Sequence, residues 1–346
     1  MRNKIFSIII PAYNSESCIE RLIGSLIIQK EFIHEVLVCN DRSTDNTVSV
    51  VKKYEKALPI KVITTPTNIN RSPGNARQCG LDAATGKWVV FADADDLLTF
   101  TALSYYLDEI KIHPEAKMII GSFDEVKLNP FVFEDHHYNK GAWVHGKAFN
   151  LKYIKDHDIR FPTEIFTHED KFFCNLTLNH LLVKGKEPLV SDYLTYYWCH
   201  EDNETSIVTR LKGKYAFHCN SESVYAAIEP VRIVKEKYKL SVKRCRELFK
   251  FHLMMVLCEM YHKLQVFQFT FDEEEIHEHR TWEDAKRFYL EIKELLDADK
   301  GFILDWLNDN PMAFESQSYD SKRTIGQYIP TQSIYDFINI LEGNEG

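Results

Sequence analysis

The sequence predicts an α/β fold in which a mixed, mostly parallel sheet is flanked by helices and followed by a helical C-terminal region. Two observations carry this. Short β-branched runs alternate with amphipathic helical patterns over the first hundred residues, as βαβ units require. Beyond about residue 213 the strand patterns give out and long helical ones replace them.

Phe6–Ile10 is an apolar run closed by the turn residues of PAYNS, and it reads as the first strand. Its basic start and apolar stretch stop at Pro11, too early for a signal-peptide core. Cys18, Ile19, Leu22, Ile23 and Leu26 then fall on one helical face. Val36–Cys39 is the second strand, ending at Asn40 and Asp41, and DNTVSVVKKYEK is a helix with Asp45 near its start. Ile60–Thr64 is the third strand, Gly74–Ala84 a helix stopped by Gly86, and Trp88–Phe91 a fourth strand that delivers DADD. Further on, Ala102–Ile112 reads as a helix, Met118–Ile120 as a strand, and residues 130–146 as an aromatic, His-containing loop region. Phe172, Phe173, Leu176 and Leu182 mark a helix opened by Glu169 and Asp170. Helical patterns then cover Val224–Lys239, Val242–Leu264 and Trp282–Leu296. The expected organisation is 1–212 (halves 1–97 and 98–212) and a mainly helical 213–346.

The chain has 346 residues, 45 % apolar and 27 % charged, the composition of an ordinary globular protein. No run of 18 apolar residues occurs, so no spanning helix is expected, and a cytoplasmic location is. Eight cysteines without a CxxC pair read as free thiols. The net charge of −9 hides a basic stretch: Arg210 to Lys250 carries eleven Lys or Arg against four Asp or Glu. Such a stretch is ordinarily a solvated helix face, and otherwise a footprint for a polyanion such as DNA.

In open α/β sheets ligands bind beyond the carboxyl ends of the strands. The clusters at Pro11, Asn40 and Asp93 therefore converge on one edge. Asp93, Asp95 and Asp96 crowd three carboxylates after an apolar run, which calls for a compensating cation. Hard divalent ions such as Mg²⁺ or Mn²⁺ suit such oxygens and take one or two carboxylates plus substrate phosphate. In extended or turn geometry Asp93 and Asp95 share a direction and Asp96 does not. The plainer reading is a turn that caps the next helix.

The order FSIIIPAYN, VLVCNDRSTDNT and NRSPGNARQCGLDAATGKWVVFADADD resembles the nucleotide-binding half of the family 2 glycosyltransferases over about residues 5–97. Weaker matches follow at HED (168–170) and WCHEDNETS (198–206). The resemblance implies a GT-A, Rossmann-like fold and an inverting transfer of sugar from a nucleotide sugar, most readily a UDP-sugar. The implied nucleotide-sugar contacts are Pro11, Tyr13, Asn14, Asp41, Ser43, Arg71, Arg77, Asp93 and Ala94. An aromatic can wall a base, and a carboxylate can accept the imide N–H of uracil. The implied metal ligands are Asp93, Asp95 and His200, the implied base is Asp170, and Glu169 and Trp198 are the implied acceptor contacts. The block 70–78 departs from the family, with Ser72 for glycine, Gly74 for serine and Gln78 for asparagine, which leaves its loop shape open.

The acceptor implied is a cell-surface saccharide or a teichoic-acid-like polymer. A phosphate-rich alternative, hydroxymethylated phage DNA included, is kept open by the basic stretch, as is a binding protein without catalysis. The C-terminal helices are a candidate homo-oligomer surface.

Overall fold

The first apolar run becomes the centre of a sheet because both its neighbours are equally apolar. In the computed structural model, which describes residues 4–67, 69, 72–128, 131–138, 143–200, 216–270, 281–310, 337–339 and 341–342, β1 (Phe6–Ala12) lies parallel to both β2 (Ile33–Asn40) and β4 (Trp88–Phe91). Buried on both faces, Phe6, Ile8, Ile9 and Ile10 admit no water. β3 (Ile60–Thr64) is the parallel edge strand, and the sheet runs β3-β2-β1-β4-β8-β6-β9-β5 with β7 alongside β6.

The connections are the predicted helices. α1 (Ile19–Ile27) buries Ile19, Leu22, Ile23 and Leu26, and α2 (Thr47–Lys52) is two residues shorter at its start and four at its end than its pattern at 45–56. α3 (Pro73–Ala83) settles the shape of the divergent block. Ser72 is its N-cap and accepts the Asn75 N–H, with Pro73 in the first turn. Gln78 Oε1 accepts the Phe161 N–H at 2.9 Å while its amide donates to Asp82. At Gly80 an added Cβ would lie 2.5 Å from Ile9 and 2.7 Å from the Cys39 sulfur, so glycine lets α3 lie directly on the sheet.

The second half is more strongly stranded than its sequence pattern. β5 (Leu97–Leu98) and α4 (Ala102–Ile112) lead into β6, which runs the full length Met118–Leu128. Part of the expected loop at 130–146 is a strand, β7 (Phe131–Tyr138), paired antiparallel to β6. β8 (Lys147–Asn150) is antiparallel to both β4 and β6. After α5 (Leu151–Asp156) and α6 (Glu169–Val183), the twelve-residue β9 (Leu189–His200) pairs with β6 and β5. Its mixture of polar and aromatic residues hides the strand, because tertiary pairing outweighs a weak alternation.

By its contacts the chain falls into two compact units, Met1–Arg210 and Leu211–Gly346. The second contains α7 (Ala216–Lys237), α8 (Val242–Thr270), α9 (Thr281–Leu296) and α10 (Lys300–Asp309), of which α10 was not anticipated. Val231, Phe249, Leu253, Leu257, Tyr289, Ile292 and Ile303 are buried here. Three arginines of the basic stretch have partners inside this unit. Arg232 pairs with Glu229, Arg244 with Glu247, and Arg246 donates to the Leu296 carbonyl that ends α9. Among the described residues no helix is long and apolar enough to cross a membrane, and the seven described cysteines are free thiols.

Candidate active site

The turns after β1 and β2 are knitted together by neutral hydrogen bonds. Pro11 and Ala12 end β1, and the Asp41 N–H donates to the Ala12 carbonyl at 2.8 Å. Asn14 adopts a left-handed conformation (φ 50°), which asparagine tolerates. Its N–H donates to Ser43 Oγ at 3.0 Å, and its side-chain oxygen accepts the Thr44 N–H at 2.8 Å. Asn40 closes the same turn by accepting the Ser43 N–H. Tyr13 stands 45 % exposed at the rim. Asp41 is buried, accepting from Thr65 Oγ1 at 2.6 Å and from Arg42 at 3.3 Å. Arg42, which the motifs did not single out, is itself left-handed and also donates to the Ile69 carbonyl.

The turn after β4 and the head of α6 hold the charge. Asp93 is half-buried, Ala94 and Asp96 are buried, and Asp95 reaches solvent. Arg77, buried on α3, bridges two elements 76 positions apart in sequence: one arm reaches Asp93 Oδ1 and the other pairs with Glu169. Gly74 makes this possible, since a Cβ there would sit 2.7 Å from the Glu169 Cγ. Glu169 is thus spent on Arg77 beneath the site and does not stand open to an acceptor. Asp170 follows it, half-buried, with Oδ1 accepting the Lys171 N–H at 2.7 Å. His168, left-handed at φ 60°, turns the chain into this helix.

The electrostatics follow from the crowding. Asp95 keeps an exposed edge, but partial desolvation and the adjacent Asp93 push its carboxyl up to about 6, although Arg21 and Arg77 pull against them. Burial also raises Glu169 and Asp170, again opposed by Arg77. The two partners keep the Arg77 guanidinium fully charged. Lys147, buried on β8, donates to the His145 carbonyl at 3.3 Å, and its charge lowers Asp170. Carboxylates that remain uphill of their usual range mark a site lacking positive charge.

Trp198 is 41 % exposed on β9. Arg71 lies outside the described residues, and so does the side chain of His200, whose backbone ends β9. Among the described residues no three His, Cys, Asp or Glu form a metal cluster. Asp93 and Asp95 fit a hard divalent ion that takes two carboxylates and completes its shell with phosphate and water. Sequence motifs did not reveal Tyr196, Arg21 or Lys147, which arrive from remote elements as residue types common in any core or surface.

Comparison with known proteins agrees with this geometry. The chain is 31 % identical over 220 residues to the poly(ribitol-phosphate) beta-N-acetylglucosaminyltransferase TarS of Staphylococcus aureus, covering 58 % of this chain and 36 % of that protein. It is 28 % identical over 241 residues to the poly(ribitol-phosphate) beta-glucosyltransferase of Bacillus spizizenii, covering 65 % and 36 %. It therefore spans about a third of the length of these relatives. The fold matches a crystal structure of S. aureus TarS residues 1–349 in complex with UDP-GlcNAc with a TM-score of 0.67, at 21 % identity, covering 94 % of this chain and 93 % of the other. Residues 7–171, from the first strand through the head of α6, match the model of glycosyl transferase family 2.

Proposed function

We propose that the protein transfers a sugar from a UDP-sugar to a hydroxyl of a phosphate-rich, teichoic-acid-like polymer, with inversion at the anomeric carbon. The observation that carries the reading is Arg77, which ties the donor-side Asp93 to Glu169, the neighbour of Asp170. One buried cation thereby sets donor carboxylates and a candidate base side by side.

Tyr13 walls the uracil and Asp41 accepts its imide N–H, with Asn14 and Ser43 holding the turn between them. Asp93 and Asp95 would hold Mn²⁺ or Mg²⁺, which would neutralise charge on the diphosphate leaving group. Arg77 adds a fixed positive charge at the same place. Asp170 takes the proton of the acceptor hydroxyl as that oxygen bonds the anomeric carbon and the bond to the diphosphate breaks. Burial raises its pKa, which makes its ionised form a stronger base than an ordinary carboxylate. Glu169 positions Arg77 rather than the acceptor, and Trp198 offers an apolar face for a sugar or polyol.

The acceptor class is supported by the relatives' names, both of which specify poly(ribitol phosphate). The test is release of UDP from UDP-GlcNAc and UDP-glucose by the full chain with Mn²⁺, against poly(ribitol phosphate), an uncharged saccharide and hydroxymethylated DNA. Turnover only on the first, lost in Asp170→Asn, supports the proposal. Turnover on another acceptor, or none on any, overturns it.

A further inference from the structure

The third carboxylate of DADD has no part in that scheme. Asp96 is 2 % exposed and faces away from the donor side. Its Oδ2 accepts the Tyr196 hydroxyl at 2.6 Å, and its Oδ1 accepts the Cys199 N–H at 2.8 Å. The same Tyr196 oxygen accepts the Asp93 N–H at 3.0 Å. Tyr196 is itself buried, its ring stacked on His145 with centroids 5.1 Å apart. The turn is closed internally by the Asp96 N–H on the Asp93 carbonyl, and Arg21 holds the Asp95 carbonyl at 2.6 Å.

We propose that Asp96 and Tyr196 are a positioning pair that locks the DADD turn so that Asp93 and Asp95 face the donor, and that welds this turn to β9. A phenol hydroxyl has one proton to give and lone pairs to accept with. Giving the proton to Asp96 leaves the oxygen to receive the Asp93 N–H, so both ends of the tetrapeptide are fixed from one atom. Buried, fully used polar groups of this kind specify a single geometry, and outer partners of metal-binding carboxylates tune affinity about 10- to 100-fold. The Cys199 contact extends the lock to the strand carrying Trp198 and His200. The donor turn and the β9 edge therefore move as one body.

The inference rests on the proposed donor site, and two measurements separate the two ideas. UDP is titrated into the full chain with and without Mn²⁺, and amide hydrogen exchange is followed at Asp93 and Cys199. In Tyr196→Phe, which keeps the ring, exchange at Asp93 accelerates about tenfold, the loss of one net hydrogen bond. The Mn²⁺-dependent gain in UDP affinity falls about tenfold or more, while affinity without metal is unchanged. Asp96→Asn, which keeps an acceptor for Cys199, gives a smaller loss in the same direction. Unaltered exchange in Tyr196→Phe, or faster exchange with an undiminished Mn²⁺ effect, overturns the lock. So does an Asp96→Asn loss exceeding that of Tyr196→Phe without faster exchange, which would make Asp96 a ligand. If the unaltered protein shows no Mn²⁺-dependent UDP binding, the donor-site reading falls, and the exchange data alone judge the lock.

Discussion

The central strands carry carboxylates at both ends, and the two ends treat them oppositely. Near the amino ends, Glu35 on β2 is buried opposite Ser7 on β1 and receives four hydrogen bonds: from the Ser7 hydroxyl, the Thr85 N–H and hydroxyl, and Lys61. Burial would raise its pKa, but these partners bring it down to about 2. At the carboxyl ends, Asp95, Glu169 and Asp170 are all raised, with Arg77 shared among too many acids. The satisfied acid stabilises the fold, whereas the unsatisfied ones hold free energy that a bound cation or a proton-donating acceptor can release. Sheet geometry alone does not distinguish the two ends. The balance of charge does.

The strongest way to break the contrast is to remove its pivot. Arg77→Met should leave Glu169 buried and unpaired, costing about 3–5 kcal/mol of stability and abolishing transfer, as read by urea denaturation and UDP release. Asp170→Asn should keep the fold and lower kcat by about 10²–10⁴-fold, with UDP affinity unchanged by calorimetry. At the other end, Glu35→Gln should lower stability by about 1–3 kcal/mol without changing UDP affinity, because Glu35 serves only the sheet.

Acid should separate the ends further. The stabilisation from Glu35 is present above about pH 4.5 and lost as pH falls toward 2, since its folded pKa is depressed. Asp95, raised to about 6, takes up a proton earlier in the folded state, so acidification from pH 6 to 4 favours the metal-free fold. Mn²⁺-dependent UDP binding should weaken through that same window, by up to about tenfold per unit, because the ligand must be ionised. Binding that is flat from pH 7 to 5 would show that Asp95 is not a ligand. The smallest effect belongs to the neutral rim: Tyr13→Ala should weaken UDP about tenfold by loss of stacking and leave denaturation midpoints unmoved.

The sequence made much of this legible where local pattern and tertiary role agree. β3, β4 and α4 have the boundaries their periodicity predicts, and the first three polar turns lie at the ends of β1, β2 and β4 as their order implies. β9 was not read because its pairing partner β6 is distant in sequence, and β7, which folds straight back on β6, because its polar and aromatic residues alternate poorly. The same holds within the site. Asp93 and Asp95 announce themselves as neighbours, but Tyr196 lies 100 positions beyond Asp96, and a tyrosine in a strand carries no signal of a shared hydroxyl. The pairing of Glu169 with Arg77 was not legible, because only the fold reveals that the glycine at 74 clears its path.

That clearance has a consequence for redesign. Residues 74, 77 and 169 form a mutually dependent set: a side chain at 74 displaces Glu169, a displaced Glu169 frees Arg77, and a freed Arg77 unmoors Asp93. Libraries meant to alter acceptor choice will therefore return mostly dead variants if they sample this trio. Diversity is better placed at exposed positions such as Trp198 and Phe166, which lie outside this set.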